Sequence, residues 1–211
     1  LIQISDLNFG FDATHSIFKN LALTVDTGEK VAVVGPSGCG KTTLIRLLAG
    51  LFPVHSGKIC FNGEVFHGGD RSNYRNQHIG IVFQDYNLLN DLTVAENMTL
   101  RLAIAGLDKD DEACRALLQR VGLADFEHTR VGLLSGGQQQ RVAAVRALIT
   151  QPHTILADES TGNLDDESAR LVIDLLLDSG PRTTVLVATH DNRVLDRFTR
   201  HVPFASLESD A

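Results

Sequence analysis

Apolar residues recur at about every second position in LIQISDL (residues 1–7) and FKNLALTV (18–25), the period of a half-buried strand. KVAVV (30–34) is instead a continuous apolar run, which suits a strand covered on both faces. KICFNGEVF (58–66) predicts a hairpin with Asn62-Gly63 as its turn, and HIGIVFQ (78–84) predicts another strand. The period then changes. Thr93 and Glu96 have the spacing of a reciprocal cap ahead of NMTLRLAIA. DDEACRALLQRVG (110–122) sets Ala113, Ala116, Leu117 and Val121 on one helical face, with Gly122 placed to end it. GGQQQRVAAVRALI (136–149) does the same with Val142, Val145 and Leu148. Strand signals return in TILA (154–157) and TTVLVA (183–188). Between them, ESARLVIDLLLD predicts a helix burying Leu171, Leu175 and Leu176.

This order of elements predicts an α/β fold: a mixed sheet with helices, antiparallel strands at the N-terminal end and an inserted helical subdomain at about 87–150. Residues 1–86 and 151–211 would form the core lobe. No Pro/Gly/Ser-rich linker separates the parts, so all 211 residues should form one unit. Pro203 argues against an interior strand near the C-terminal end. With 43% apolar and 21% charged residues the chain reads as globular. Its net charge of -7 argues against a nucleic-acid partner. Three widely spaced cysteines, Cys39, Cys60 and Cys114, fit reduced thiols of the cytoplasm. No stretch approaches the ~20 apolar residues that span a bilayer, so any membrane role requires a spanning partner.

Gly35 to Thr42 reads G-x-x-x-x-G-K-T between a predicted strand and a predicted helix, the context of a P-loop. Gly35, Gly38 and Gly40 allow the backbone of Pro36, Ser37 and Cys39 to curl into an anion nest. The helix start near Lys41 adds its positive dipole end. Lys41 can reach the terminal phosphates of a nucleotide, Thr42 can offer its hydroxyl oxygen to Mg²⁺, and Thr43 completes the ATP-binding run. Cys39 reads as a filler at a variable position or, alternatively, as a thiol activated by the loop's field. TILADE ends a strand in two carboxylates. Asp158 is placed to hold Mg²⁺ and Glu159 to polarise an attacking water.

LSGGQQQR (134–141) supplies a second anion site, with Ser135, Gly136, Gly137 and Gln138 at a helix start. Together with its position between the P-loop and TILADE, this segment resembles the signature of the ATP-binding cassette (ABC) ATPases. The resemblance implies a sandwich homodimer in which each ATP lies between one copy's P-loop and the other's Ser135 segment. It also assigns Gln84 as a Mg²⁺ and water contact, His190 in VLVATHD as the γ-phosphate switch, and STGNLD (160–165) as the loop packed across the dimer. Phe11 is the implied adenine-stacking ring, with Phe9 as the competitor. Ser160 stands where the family usually has proline, which removes a φ restraint and is expected to loosen that loop. Many relatives continue through a clearer last strand, and no C-terminal regulatory domain is expected here.

YRNQHIGIVFQDYNLL and TGNLD look most like the lipoprotein-release and macrolide-export branch. The expected function is therefore a transport ATPase on the cytoplasmic face of the inner membrane. It would drive an integral membrane permease seated near Gln84 and DYNLLNDLTV. The same motifs would serve an ABC ATPase of membrane assembly or cell division. A nucleic-acid-acting relative would need a coiled-coil insertion or second cassette, and a P-loop kinase has no use for LSGGQ.

Overall fold

The computed structural model describes residues 1–11, 16–66, 71–162 and 164–207. The two alternating stretches become β1 (Ile2–Gly10) and β2 (Ser16–Val25), paired antiparallel. Ile2, Ile4, Leu7 and Phe9 of β1 and Phe18, Leu21, Leu23 and Val25 of β2 are buried. β4 (Ser56–Phe61) pairs with the other edge of β1, and β5 (Glu64–Val65) completes the order β2-β1-β4-β5. Asn62 and Gly63 join β4 to β5 with φ of 53° and 83°, the two positive values a tight hairpin turn needs.

The continuous apolar runs build a second, all-parallel sheet from β3 (Lys30–Val34), β6 (Ile79–Val82), β7 (Thr154–Asp158), β8 (Thr184–Thr189) and β9 (Arg200–Pro203). Its order is β6-β7-β8-β3-β9. β7 and β8 are buried along their whole length, as strands covered on both faces must be. Pro203 lies on the edge strand, where a missing N–H breaks no interior ladder.

Between the sheets lies α1 (Lys41–Leu48), which packs Leu44, Ile45 and Leu48 into a core shared with Ile2, Leu21, Val31 and Leu186. The opposite face of the parallel sheet carries α3 (Val94–Ile104), α4 (Asp111–Arg120), α5 (Gly136–Leu148) and α6 (Asp166–Leu177), which share one continuous core with it. α3 starts at the expected reciprocal cap: Glu96 N–H donates to Thr93 Oγ1 at 3.2 Å, and Thr93 N–H to Glu96 Oε2 at 2.7 Å.

Three helical details differ from the pattern. α4 turns Cys114 and Leu118 into the core, with Val121 just past its end. Ala113 and Leu117 are half-buried and Ala116 is exposed, so the face is rotated by one position. α6 buries Val172 and Ile173 with Leu175 and Leu176, leaving Leu171 half-buried. α2 (Arg71–His78) has no buried residue and hence no apolar period to reveal it. It is held from outside: Arg71 and Arg75 donate to the carbonyls of Phe52 and Ala49, each at 3.2 Å, and Tyr74 packs on Phe61 and Phe66.

Candidate active site

Four neighbouring parallel strands deliver the candidate residues at their C-terminal ends: β6 leads to Gln84, β7 to Asp158 and Glu159, β8 to His190, and β3 to the glycine loop. Open α/β sheets take their ligands at this edge. Gly38 and Gly40 adopt φ of 82° and 113°, which ordinary side chains avoid. A Cβ on Gly40 would also meet Phe18, Ile17 and Phe204 at 2.9–3.0 Å. No side chain caps α1, so its first-turn N–H groups remain available to an anion. Lys41 is 4% exposed, and its Nζ donates to the carbonyls of Gly35 (2.7 Å) and Pro36 (3.0 Å). The same ammonium lies 3.2 Å from Glu159 Oε1.

Asp158 is buried at the end of β7. Burial pushes its carboxyl above the ordinary range, against a hydrogen bond from Thr42 Oγ1 at 3.0 Å that works the other way. Glu159 has a φ of 46°, and its N–H is held by the Ala188 carbonyl at 2.9 Å. His190 Nδ1 approaches Glu159 Oε2 to 2.7 Å, yet Oε2 is buried without an aligned hydrogen bond. A carboxylate oxygen with no aligned donor among the described residues is suited to accept a hydrogen bond from a water. Thr42 and Asp158 offer hard oxygen donors of the kind Mg²⁺ prefers. No three His, Cys, Asp or Glu side chains form a metal cage among the described residues, so phosphate and water would complete the shell.

Residues 37–43, Gln84, Glu159 and His190 line one cleft of about 600 Å³, together with Phe11, Ser16 and Ile17. Phe11 is 65% exposed, whereas Phe9 is buried and stacks on Phe52 and His55. Of the two rings, Phe11 is the exposed one that lines the cleft.

Ser135 lies outside this cleft. It caps α5, accepting from Gln138 N–H at 3.3 Å while its own N–H donates to Gln138 Oε1 at 2.9 Å. Ser135 and Gly136 are exposed, and Gly137 faces Leu164 and Ser168. The structure thus gathers the phosphate loop, carboxylates, Gln84, His190 and Phe11, and sets Ser135, Gly136, Gly137 and Gln138 apart as a second group. Asn163 of the 160–165 loop lies outside the described residues.

The family model described as ABC transporter matches residues 18–162. The chain belongs to the ABC transporter family. It is an ABC-type ATPase. It is 40% identical over 195 residues to the lipoprotein-releasing system ATP-binding protein LolD of Legionella pneumophila (strain Lens), covering 89% of this chain and 86% of that one. It is 41% identical over 214 residues to LolD 2 of Rhodospirillum rubrum, covering 96% and 92%. Among solved structures, it resembles a dimeric ATP-binding cassette in a post-hydrolysis state with ADP and phosphate. The TM-score is 0.86 at 29% identity, over 97% of this chain and 95% of that one.

Beside the cleft, this ABC ATPase has one polar residue, Arg193, that lies outside every motif read from the sequence, and it joins two that lie within them. Thr161, Asp191 and Arg193 bond to one another just behind Glu159 and His190. Thr161 lies about 30 positions from Asp191 and Arg193, so no local spacing marks the group. No described helix is long and apolar enough to cross a membrane.

Proposed function

We propose that two copies of this ABC ATPase close on ATP, and that closure and reopening drive an integral membrane permease of the lipoprotein-release type. Each nucleotide would lie between one copy's phosphate loop and the other copy's Ser135–Gln138 helix start. The observation that carries this reading is the separation of two anion cradles in one chain, the Lys41 cleft and the exposed start of α5. A nucleotide on one copy lacks the second cradle until a partner copy brings it. The dimeric cassette with ADP and phosphate supports the homodimer, and the LolD relatives support the permease. The ATPase would then work at the cytoplasmic face of the inner membrane. Its core lobe is 1–86 with 151–211, and its signature lobe is 87–150.

In this mechanism Lys41 and the N–H groups at the start of α1 bind the phosphates, and Phe11 offers its face to adenine. Thr42, Asp158 and Gln84 would hold Mg²⁺, which would supply positive charge to offset that of the phosphates. Glu159 accepts the proton of the attacking water, and His190 steadies the γ-phosphate. The Lys41–Glu159 pair links binding to chemistry, because a phosphate that draws Lys41 away would release Glu159 Oε1 to act as base while Oε2 stays beside His190.

The permease would sit on a groove of about 300 Å³ beside Asn87, lined by Leu89, Leu100, Ile104, Arg101 and Arg146. Arg146 donates to the carbonyls of Tyr86 (2.9 Å) and Asn87, and burial pushes its pKa down to about 10. Neither Arg101 nor Arg146 has a carboxylate partner among the described residues. Apolar walls with unneutralised guanidinium groups fit an apolar segment carrying an acidic side chain. The decisive test of the ATPase reading is Glu159→Gln. Hydrolysis should fall by about 10²–10⁴-fold, while ATP still binds and a dimer accumulates in size-exclusion chromatography. Full turnover would remove the general base, and a persistently monomeric ATP complex would remove the sandwich.

A further inference from the structure

We propose that Arg193 is a positioning residue: it latches the loop after Glu159 to the strand end carrying His190, and so fixes the hydrolytic half-site against the signature half-site of the same copy. The proposal rests on the sandwich reading above. A guanidinium has five N–H donors in a rigid plane, and here it makes five bonds. Nε donates to Asp191 Oδ1 at 2.9 Å and Nη2 to Asp191 Oδ2 at 2.8 Å, a fork-to-fork pair. Nη2 also reaches the Thr161 carbonyl at 3.4 Å. Nη1 reaches the Leu164 carbonyl at 3.2 Å and Asp166 Oδ1 at 2.6 Å. Asp166 is mostly exposed, so that last bond adds little.

Asp191 is the inner half of the latch. It is 8% exposed, accepts from Thr161 Oγ1 at 2.8 Å and ties its own N–H to Thr189 Oγ1 at 2.9 Å. Its neighbour in the chain is His190. Bonds from Arg193 hold its carboxyl down at about 2, so the pair stays ionised at any working pH. At the far end, Leu164 packs against Gly137, whose added Cβ would lie 3.5 Å from Leu164 Cδ2. One guanidinium therefore touches the segment next to His190, the loop that follows Glu159, and the residue that abuts the signature helix.

This placement bears on Ser160. The chain lacks the proline expected there, and the Ser160 hydroxyl is buried with no hydrogen-bond partner among the described residues, so none of them ties that side chain down. The restraint comes instead from the bonds to Thr161 and Leu164.

Arg193→Lys tests the latch, because an ammonium can keep a pair with Asp191 but cannot span to both carbonyls. Steady-state ATPase assays should show kcat down about tenfold, with KM within twofold and the Tm close to wild type. ATP binding measured in the closure-blocked Ser135→Arg background should be unchanged by Arg193→Lys. In the Glu159→Gln background, adding Arg193→Lys should raise the ATP concentration needed for half-maximal dimer formation. Asp191→Asn, which keeps shape and loses the charge, should reproduce the kcat loss, and the double variant should be no worse than either single one. Wild-type kcat in both single variants would overturn the proposal, as would a kcat loss that only tracks a lowered Tm. Failure of Glu159→Gln itself to dimerise would strike the sandwich reading instead.

Discussion

Asp158 shows at a single residue how a site is held against its own stability. Burial raises its carboxyl pKa above the ordinary 3.8, so the folded chain takes up a proton more readily than the unfolded one. Ionising it at neutral pH therefore costs stability, and the cost disappears below 3.8, where the group is protonated in both states. Asp158→Asn removes that charge while keeping an acceptor for Thr42. Its Tm at pH 7 should exceed that of the wild type by a few degrees, the gap should close as the pH falls below 3.8, and ATPase activity should be lost. A lower Tm at pH 7 would contradict the burial argument. Residues whose place is set by neighbours within a few positions, such as Lys41 and Thr42 at the end of the glycine loop, could be located from the sequence, because a P-loop has a fixed spacing. The preference for Phe11 over Phe9 rested on the family resemblance and not on local pattern. β1 ends at Gly10, so strand alternation no longer governs Phe11, and only the packed structure leaves it at the cleft with Phe9 inside. Arg193 was invisible for a related reason, since its meaning lies in bonds to a loop about 30 residues away.

Among the elements, α3 carries apolar residues on two faces. Val94, Met98 and Leu102 point into the core, while Leu100 (40% exposed) and Ile104 (52%) face outward along the arginine-rimmed groove. The outward pair adds little to folding, so its retention as apolar surface fits a contact surface better than a core. The double substitution Leu100→Asp with Ile104→Asp should lower Tm by no more than a few degrees yet abolish ATPase recovery with membranes in a sedimentation assay. Undiminished recovery would move the permease elsewhere. The start of α3 was readable because a reciprocal cap is written in four residues, as was the Asn62-Gly63 turn. α2 was not, because it is polar all round and depends on carbonyls at Ala49 and Phe52 that only the fold brings near. The face of α4 was misplaced by one position because Cys114, small and weakly polar, behaves there as a core residue, its thiol pushed up to about 11 chiefly by burial.

Across the whole molecule, the strand order decides what can meet. With β7, β8 and β3 side by side, Asp158, Glu159 and His190 converge on Lys41, which is more than 100 residues from each of them in the chain. The motifs named these residues, but their order in the sheet could not be read from them, since it follows from long-range pairing. The same architecture keeps Ser135 out of that convergence. It caps α5 on the surface, apart from the residues that line the Lys41 cleft, so in the proposed sandwich its hydroxyl and the N–H groups beside it would meet a triphosphate held by a second copy. Ser135→Arg tests this at the scale of the assembly. Losing the cap should cost about 1 kcal/mol, or about 2–4 °C in Tm. ATP should still stabilise the variant against heat, because the Lys41 cradle is intact. In the Glu159→Gln background, however, light scattering should find a monomer at ATP concentrations that dimerise Glu159→Gln alone, since a long cation then occupies the space meant for the partner's phosphate. A dimer of undiminished strength would mean that the two cradles never face each other across copies. Single-chain hydrolysis at the Lys41 cleft would then have to account for all turnover.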